Sequence, residues 1–219
     1  MSYPIEVLYE DNHLIAVVKP PDPLIQADES DERCLMDDVK DYLKSKYQKP
    51  GNVFLGLIHR LDRNVTGIVV FAKTSKGASR LSEQFRKRDI TKTYHALVEG
   101  HLERPHGTLI NMLDKEEHKR IAYESPKGKE AKLSYKVIKE LGENTLVEIE
   151  LYTGRFHQIR AQFGLINHPL VGDYKYGADT TLPNQEIALA ATKLAFQTAT
   201  GEKEVVLEIP IPTWHPTKE

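Results

Sequence analysis

The sequence predicts an α+β fold, a mainly antiparallel mixed β-sheet with flanking helices and loops. Short apolar or alternating runs recur along the chain, turn residues separate most of them, and only a few segments hold helical spacing. "IEVLYEDNHLIAVVKPPD" opens as two strands around an Asp-Asn turn, and "KPPDP" ends the ladder because proline donates no N–H. "CLMDDVKDYLKSKY" sets Leu35, Val39, Tyr42 and Leu43 on one helical face, before "QKPGN" stops it. "VFLGLI" and "GIVVFAK" are apolar, partly β-branched runs expected as buried strands. "TSKGASRLSEQFRKR" places Ala78, Leu81 and Phe85 on one helical face behind a Thr-Ser pair able to cap it. "TKTYHALVEG" alternates as a strand, and "AKLSYKVIKELGENTLVEIELYTG" turns at Gly-Glu-Asn as a hairpin. "RFHQIRAQFGLINHPLVGD" spaces Ile159, Phe163 and Ile166 as a helix that Gly164 and Pro169 interrupt. "IALAATKLAF" and "EVVLEIPIP" close as strands.

Composition narrows the classes. A chain of 219 residues, 40% hydrophobic, can bury one sizeable core, so a single domain over 1–219 is expected. No apolar run is long enough to span a membrane, and "MSYPIEVLYEDNHL" lacks the basic-then-apolar order of a secretory signal, so a soluble cytoplasmic protein is expected. Cys34 stands alone in an acidic stretch, which excludes an internal disulfide and disfavours a thiolate. The nine His residues show no paired spacing, so no metal site is expected. Net charge is −2, but its distribution is uneven. Residues 28–41 carry seven acids against Arg33 and Lys40, a local −5. Residues 73–92 carry Lys73, Lys76, Arg80, Arg86, Lys87, Arg88 and Lys92 against Glu83 and Asp89, a local +5. Such a block suits a polyanion, and equally a solvated helix face.

Two motifs hold chemistry. "HRLDRNVTG" puts Asp62 in the connection between two apolar runs, where a rigid scaffold can display a reactive group. A turn Asp that satisfies backbone amides fits the same spacing. "GRFHQIR" gathers Arg155, His157, Gln158, Ile159 and Arg160 at a helix start, where N–H groups and the dipole favour anions. The alternative is that His157 and Gln158 tie down the helix end. An Arg from this segment would hold Asp62 ionised, as a nucleophile needs; a plain salt bridge would look the same. Tyr94 lies on a strand beside the basic segment, placed either for the core or for stacking on an unpaired base.

Together, "LYEDNHLIAVVKP", "HRLDRNVTGIVVFAKTSKGASRLSEQF", "KTYHALVEG", "GKEAKLSYKV", "LYTGRFHQIRAQFGLINHPLVGDYKYG" and "KLAFQTATGEKEVVLEIPIP" resemble an RluA-type pseudouridine synthase along nearly the whole chain. The resemblance implies the pseudouridine synthase fold and an isomerase that needs no cofactor. Uridine in a ribosomal or transfer RNA is detached from its ribose, turned, and rejoined through carbon 5. It implies that Asp62 is the catalytic Asp, attacking the anomeric carbon or assisting proton removal there. By the same resemblance Tyr94 packs on the target base and Arg160 pairs with the catalytic Asp. Arg60 fills the gap left by the flipped base, or contacts phosphate; Arg155, His157, Gln158 and Ile159 are candidate substrate contacts.

The sequence departs from the family pattern at Val65, Phe156, Gln162 and Ala190, none of which removes a proposed catalytic group. A monomer without a separate N-terminal RNA-binding module is expected, with RNA as partner and neither membrane nor metal. The rival from another class is a non-catalytic RNA-binding or folding factor that keeps the fold. A two-carboxylate glycosidase finds no second acid near the motif.

Overall fold

The computed structural model describes residues 4–27 and 32–218. Part of the acidic run, residues 28–31, lies outside them. The chain forms two compact units, residues 1–90 with 193–209 and residues 91–192 with 210–219.

The first unit opens with the expected hairpin, β1 (Glu6–Glu10) and β2 (Leu14–Lys19). Asp11 makes its turn by accepting the amides of His13 and Leu14 at 2.7 and 2.6 Å. Helix α1 (Leu35–Lys46) follows, and Arg33 at its start pairs with Asp38 and Asp41, drawing charge out of the acidic run. Strand β3 is only Gly56–Leu57, shorter than "VFLGLI" suggests: Phe54 is 52% exposed, and the run pairs with its neighbour through two residues. β4 (Thr66–Ala72) is buried throughout and pairs antiparallel with β2. It begins through Gly67 at φ 134°, backbone that side chains rarely tolerate. Helix α2 (Ser75–Lys87) is capped as expected, Thr74 Oγ1 accepting the Gly77 amide at 3.1 Å.

The core of this unit joins Leu14, Ala16, Ile68 and Val70 from the strands to Leu81 from the helix. Lys73 does not join the basic face of α2; with Lys46 it grips Glu10, at 2.6 and 2.7 Å.

The second unit orders its strands β5 (Thr91–Glu99), β9 (Asn144–Leu151), β8 (Lys129–Leu141), β6 (His106–Glu116), β7 (Ile121–Glu124), all antiparallel. The β8–β9 hairpin turns at Gly142 with φ 63°, as "LGENT" implies. Helix α3 (Gln158–Leu165) contributes Ala161 to a core with Leu113, Ala122 and Ala131. Two residues of β10 (Thr180–Thr181) pair with β13 (Thr217–Lys218). In β11 (Leu189–Gln197), residues 189–192 count with the second unit and 193–197 with the first. β12 (Glu204–Glu208) pairs with β11 and stops short of "IPIP", whose prolines cannot donate. This mostly antiparallel sheet with three helices is the expected α+β class. No helix among the described residues is long and apolar enough to cross a membrane.

Candidate active site

Asp62 lies half-buried in the connection from β3 to β4, and its loop is pinned from within the unit at both ends. At the entry, His59 Nε2 accepts the backbone N–H of Val70 at 3.1 Å, and the ring stacks on Phe85 of α2 with centroids 4.9 Å apart. At the exit, the Asp62 carbonyl accepts the Val65 amide at 3.2 Å, closing a turn. Below that turn lies Lys19, 0% exposed at the end of β2. Its ammonium donates to the carbonyls of Pro20, Arg63 and Val65 at 2.9, 2.6 and 2.9 Å, which uses its three protons. Burial pushes Lys19 down to about 7, against the pull of the Asp62 and Asp22 carboxylates. The Lys19 amine thus holds the backbone of the Asp62 loop from within and interacts electrostatically with the Asp62 carboxylate.

The two arginines that bracket Asp62 in sequence have other positions. Arg63 turns to Asp22 and Glu32, at 3.3 and 2.8 Å. Arg60 is exposed and has no ion pair among the described residues. Val65 and Thr66, at the end of the motif, also have clear tasks. Thr66 Oγ1 donates to the Lys19 carbonyl at 2.8 Å, and Val65, 1% exposed, fills the core. One hydroxyl closes the lysine's own backbone, and the other position is an apolar seat.

In the second unit, Arg160 on the first turn of α3 is 5% exposed and held by a fork: Nε and Nη2 donate to Asp173 Oδ2 and Oδ1 at 2.6 and 2.8 Å. Two parallel charge-assisted bonds fix the plane of the guanidinium as well as its place. Its carbon lies 5.2 Å from the centroid of the Tyr176 ring. His157 enters the helix at φ 48°, stacks on Phe156 at 3.8 Å, and shares a 3.0 Å hydrogen bond with the Tyr176 hydroxyl. Phe156 carries Lys115 over its ring at 4.9 Å, so the bulkier residue at this position serves as a packing plate.

Gln158 and Ile159, expected among the substrate contacts, are buried at 3% and 5% exposure. Gln158 Oε1 accepts from the Arg155 amide and the Thr153 hydroxyl, at 3.0 and 2.7 Å, while Nε2 donates to Gln162. Gln162 continues the chain to Asn111 and the Ala131 carbonyl. This amide relay ties Gln158 into the start of the helix. Arg155 reaches the Glu130 carbonyl through Nε at 2.8 Å. Tyr94 is 8% exposed on β5, opposite Ile149 of β9.

Residues 13–164 match the family described as RNA pseudouridylate synthase. The chain belongs to that family. Ribosomal large subunit pseudouridine synthase D of Vibrio cholerae is 32% identical over 230 residues, a match that covers 95% of this chain and 68% of that protein. An uncharacterized RNA pseudouridine synthase of Bacillus subtilis, YhcT, is 32% identical over 212 residues, with 95% and 69% covered. In fold, the human RNA pseudouridylate synthase domain containing 4 superposes with a TM-score of 0.78 at 22% identity, over 94% of this chain and 88% of that one.

The family match takes in the Asp62 loop and the Arg160 segment alike. Three residues around these two segments escape a reading of motifs. Lys19 closes an otherwise apolar strand, "LIAVVK", and a lysine there looks like the first solvent-facing residue. Its one sequence signal is the Pro-Pro that follows, which ends the strand and leaves the Pro20 carbonyl to accept from the lysine. His59 and Asp173 stand inside motifs, but nothing local signals what they hold, since each partner lies more than ten residues away in sequence.

Proposed function

We propose that this chain isomerises uridine to pseudouridine in RNA, with Asp62 as the reacting carboxylate. The observation that carries the proposal is the pinned loop: a half-buried carboxylate, held at entry by His59 and at exit by the buried Lys19. The reaction breaks the N1–C1′ bond, turns the uracil, and forms C5–C1′; C5 gives up its proton and N1, which carried none in uridine, takes one up. Electrons balance without an oxidant or a group donor, so side chains suffice. Attack at C1′ and removal of a ribose proton both need an ionised carboxylate.

Tyr94 and Arg160 are assigned to the same reaction. Tyr94 supplies an aromatic face for the base, and Arg160, stiffened by Asp173, supplies a fixed cation for the carboxylate state. Arg60, exposed two residues before Asp62, offsets the unstacking of the flipped nucleotide, which costs a few kcal/mol. The exposed Lys76, Arg80, Arg86 and Arg88 of α2 and its C-terminal cap attract the phosphate backbone. The relatives named for the large ribosomal subunit support ribosomal RNA as substrate.

The test uses RNA labelled with [5-³H]uridine and taken from cells lacking this protein. Wild type releases tritium as C5 exchanges its proton for the ribose, and Asp62→Asn releases none. Equal release by both proteins would remove Asp62 from the reaction. No release by either leaves the RNA-binding reading, in which Asp62→Asn retains RNA affinity and cellular phenotype.

A further inference from the structure

The β3–β4 ladder consists of Gly56↔Ala72 and Leu57↔Phe71 and goes no further. The next β4 amide on that edge belongs to Val70, a residue 0% exposed, where an unpaired N–H would cost the full desolvation of the group. The chain answers with a side chain: the His59 ring swings in where backbone would otherwise continue, and Nε2 takes the Val70 proton at 3.1 Å. An accepting Nε2 carries no proton of its own, so the neutral ring holds its hydrogen on Nδ1. The stack on Phe85, with an interplanar angle of 22°, fixes the remaining freedom of the ring. A β4 amide and an α2 side chain thus locate the first residue of "HRLD", three positions before Asp62 and with no regular structure between them. From the other side, Lys19 holds the carbonyls of Arg63 and Val65.

We propose that His59 is a positioning residue: its neutral imidazole, by accepting the Val70 amide, sets the entry of the loop and hence the aim of the Asp62 carboxylate. The inference rests on the reading of Asp62 given above. His59 touches no reacting atom in this scheme. Its contribution is to geometry, and it should appear in turnover more than in binding, because a displacement of about 1 Å at a reacting group is enough to cost about 10²-fold.

Two substitutions separate the acceptor from the packing. His59→Phe keeps an aromatic ring on Phe85 and removes the acceptor, whereas His59→Gln offers an amide oxygen at a similar reach. With the same tritium-labelled RNA, His59→Phe should lower kcat by about 10- to 100-fold with KM within about threefold of wild type. His59→Gln should return kcat to within about fivefold. The proposal is overturned if His59→Phe turns over like wild type, if His59→Gln falls as far as His59→Phe, or if the loss is carried by KM. Should His59→Phe fail to fold, ¹⁵N spectra of the wild-type imidazole decide: a bare Nε2 and protonated Nδ1 support the proposal, and a protonated Nε2 at neutral pH overturns it. Asp62→Asn in the same series keeps the two readings apart. An active Asp62→Asn sinks the Asp62 assignment, while an inactive Asp62→Asn beside a fully active His59→Phe sinks only the role of His59.

Discussion

Replacing Lys19 with Met removes a charge from a site that water does not reach, and the structure gives both sides of the balance. Against the wild type stands desolvation. Burial brings Lys19 from 10.5 to about 7, a penalty of about 5 kcal/mol for the charged form at 1.4 kcal/mol per pKa unit. For the wild type stand three hydrogen bonds to carbonyls, each worth about 1.5–3 kcal/mol with a charged donor. The difference leaves Lys19→Met less stable by about 0–4 kcal/mol below pH 7. Because the folded-state value lies below the unfolded one, the unfolded chain binds more protons between about pH 7 and 10.5, so wild-type stability gains with pH across that window. Lys19→Met lacks the titrating group. The wild-type advantage should therefore grow by about 1–3 kcal/mol from pH 7 to 9.5. Urea unfolding of both proteins at pH 6, 7, 8 and 9.5 measures it. An advantage that stays flat, or shrinks as pH rises, refutes the reasoning that places a desolvated ammonium under the Asp62 loop.

Two further perturbations probe other charged contacts. Burial works against ionisation of Glu10, but Lys46, Lys73 and Tyr47 together outweigh it and hold the carboxyl down to about 2. The resulting stabilisation is present above about pH 4.5 and disappears as pH falls toward 2. Glu10→Gln should cost about 1–3 kcal/mol at pH 7, and thermal melts of the two proteins should converge by about pH 2. Asp173→Asn breaks the fork that orients Arg160 and leaves a buried guanidinium poorly matched, so calorimetry should show a loss of about 3–5 kcal/mol. Catalysis by that variant should fall even at temperatures where it remains folded.

Local signals made the opening hairpin, the three helices and the β8–β9 turn legible, because each is written within a few residues. Asp11 and Thr74 bond to amides two or three positions away, and their residue types alone announce it. By contrast β6 and β7 carry little signal, because β6 alternates mostly between exposed and half-buried positions and presents Ile110 and Met112 outward. "VFLGLI" misleads in the other direction: its apolar run is spent largely outside the sheet, and only Gly56 and Leu57 pair.

At the candidate site, the residues that resemble a reactive set could be named from motifs, but the groups that hold them could not. Lys19, His59 and Asp173 act across the fold, and hydrogen bonds between distant segments leave no periodicity in sequence. Arg63 shows the same limit from the other side: adjacency to Asp62 suggests a pair, and the structure gives it to Asp22 and Glu32.

The central claim is that Asp62 makes this chain an RNA uridine isomerase, and pseudouridine mapping across cellular RNA tests it most directly. Cells lacking the protein are compared with the same cells carrying wild type or Asp62→Asn, expressed to equal levels. The account predicts one or a few uridines, in ribosomal RNA, that are modified with wild type and unmodified in both other strains. Restoration of those sites by Asp62→Asn, or an unchanged map in the deletion strain, would contradict it.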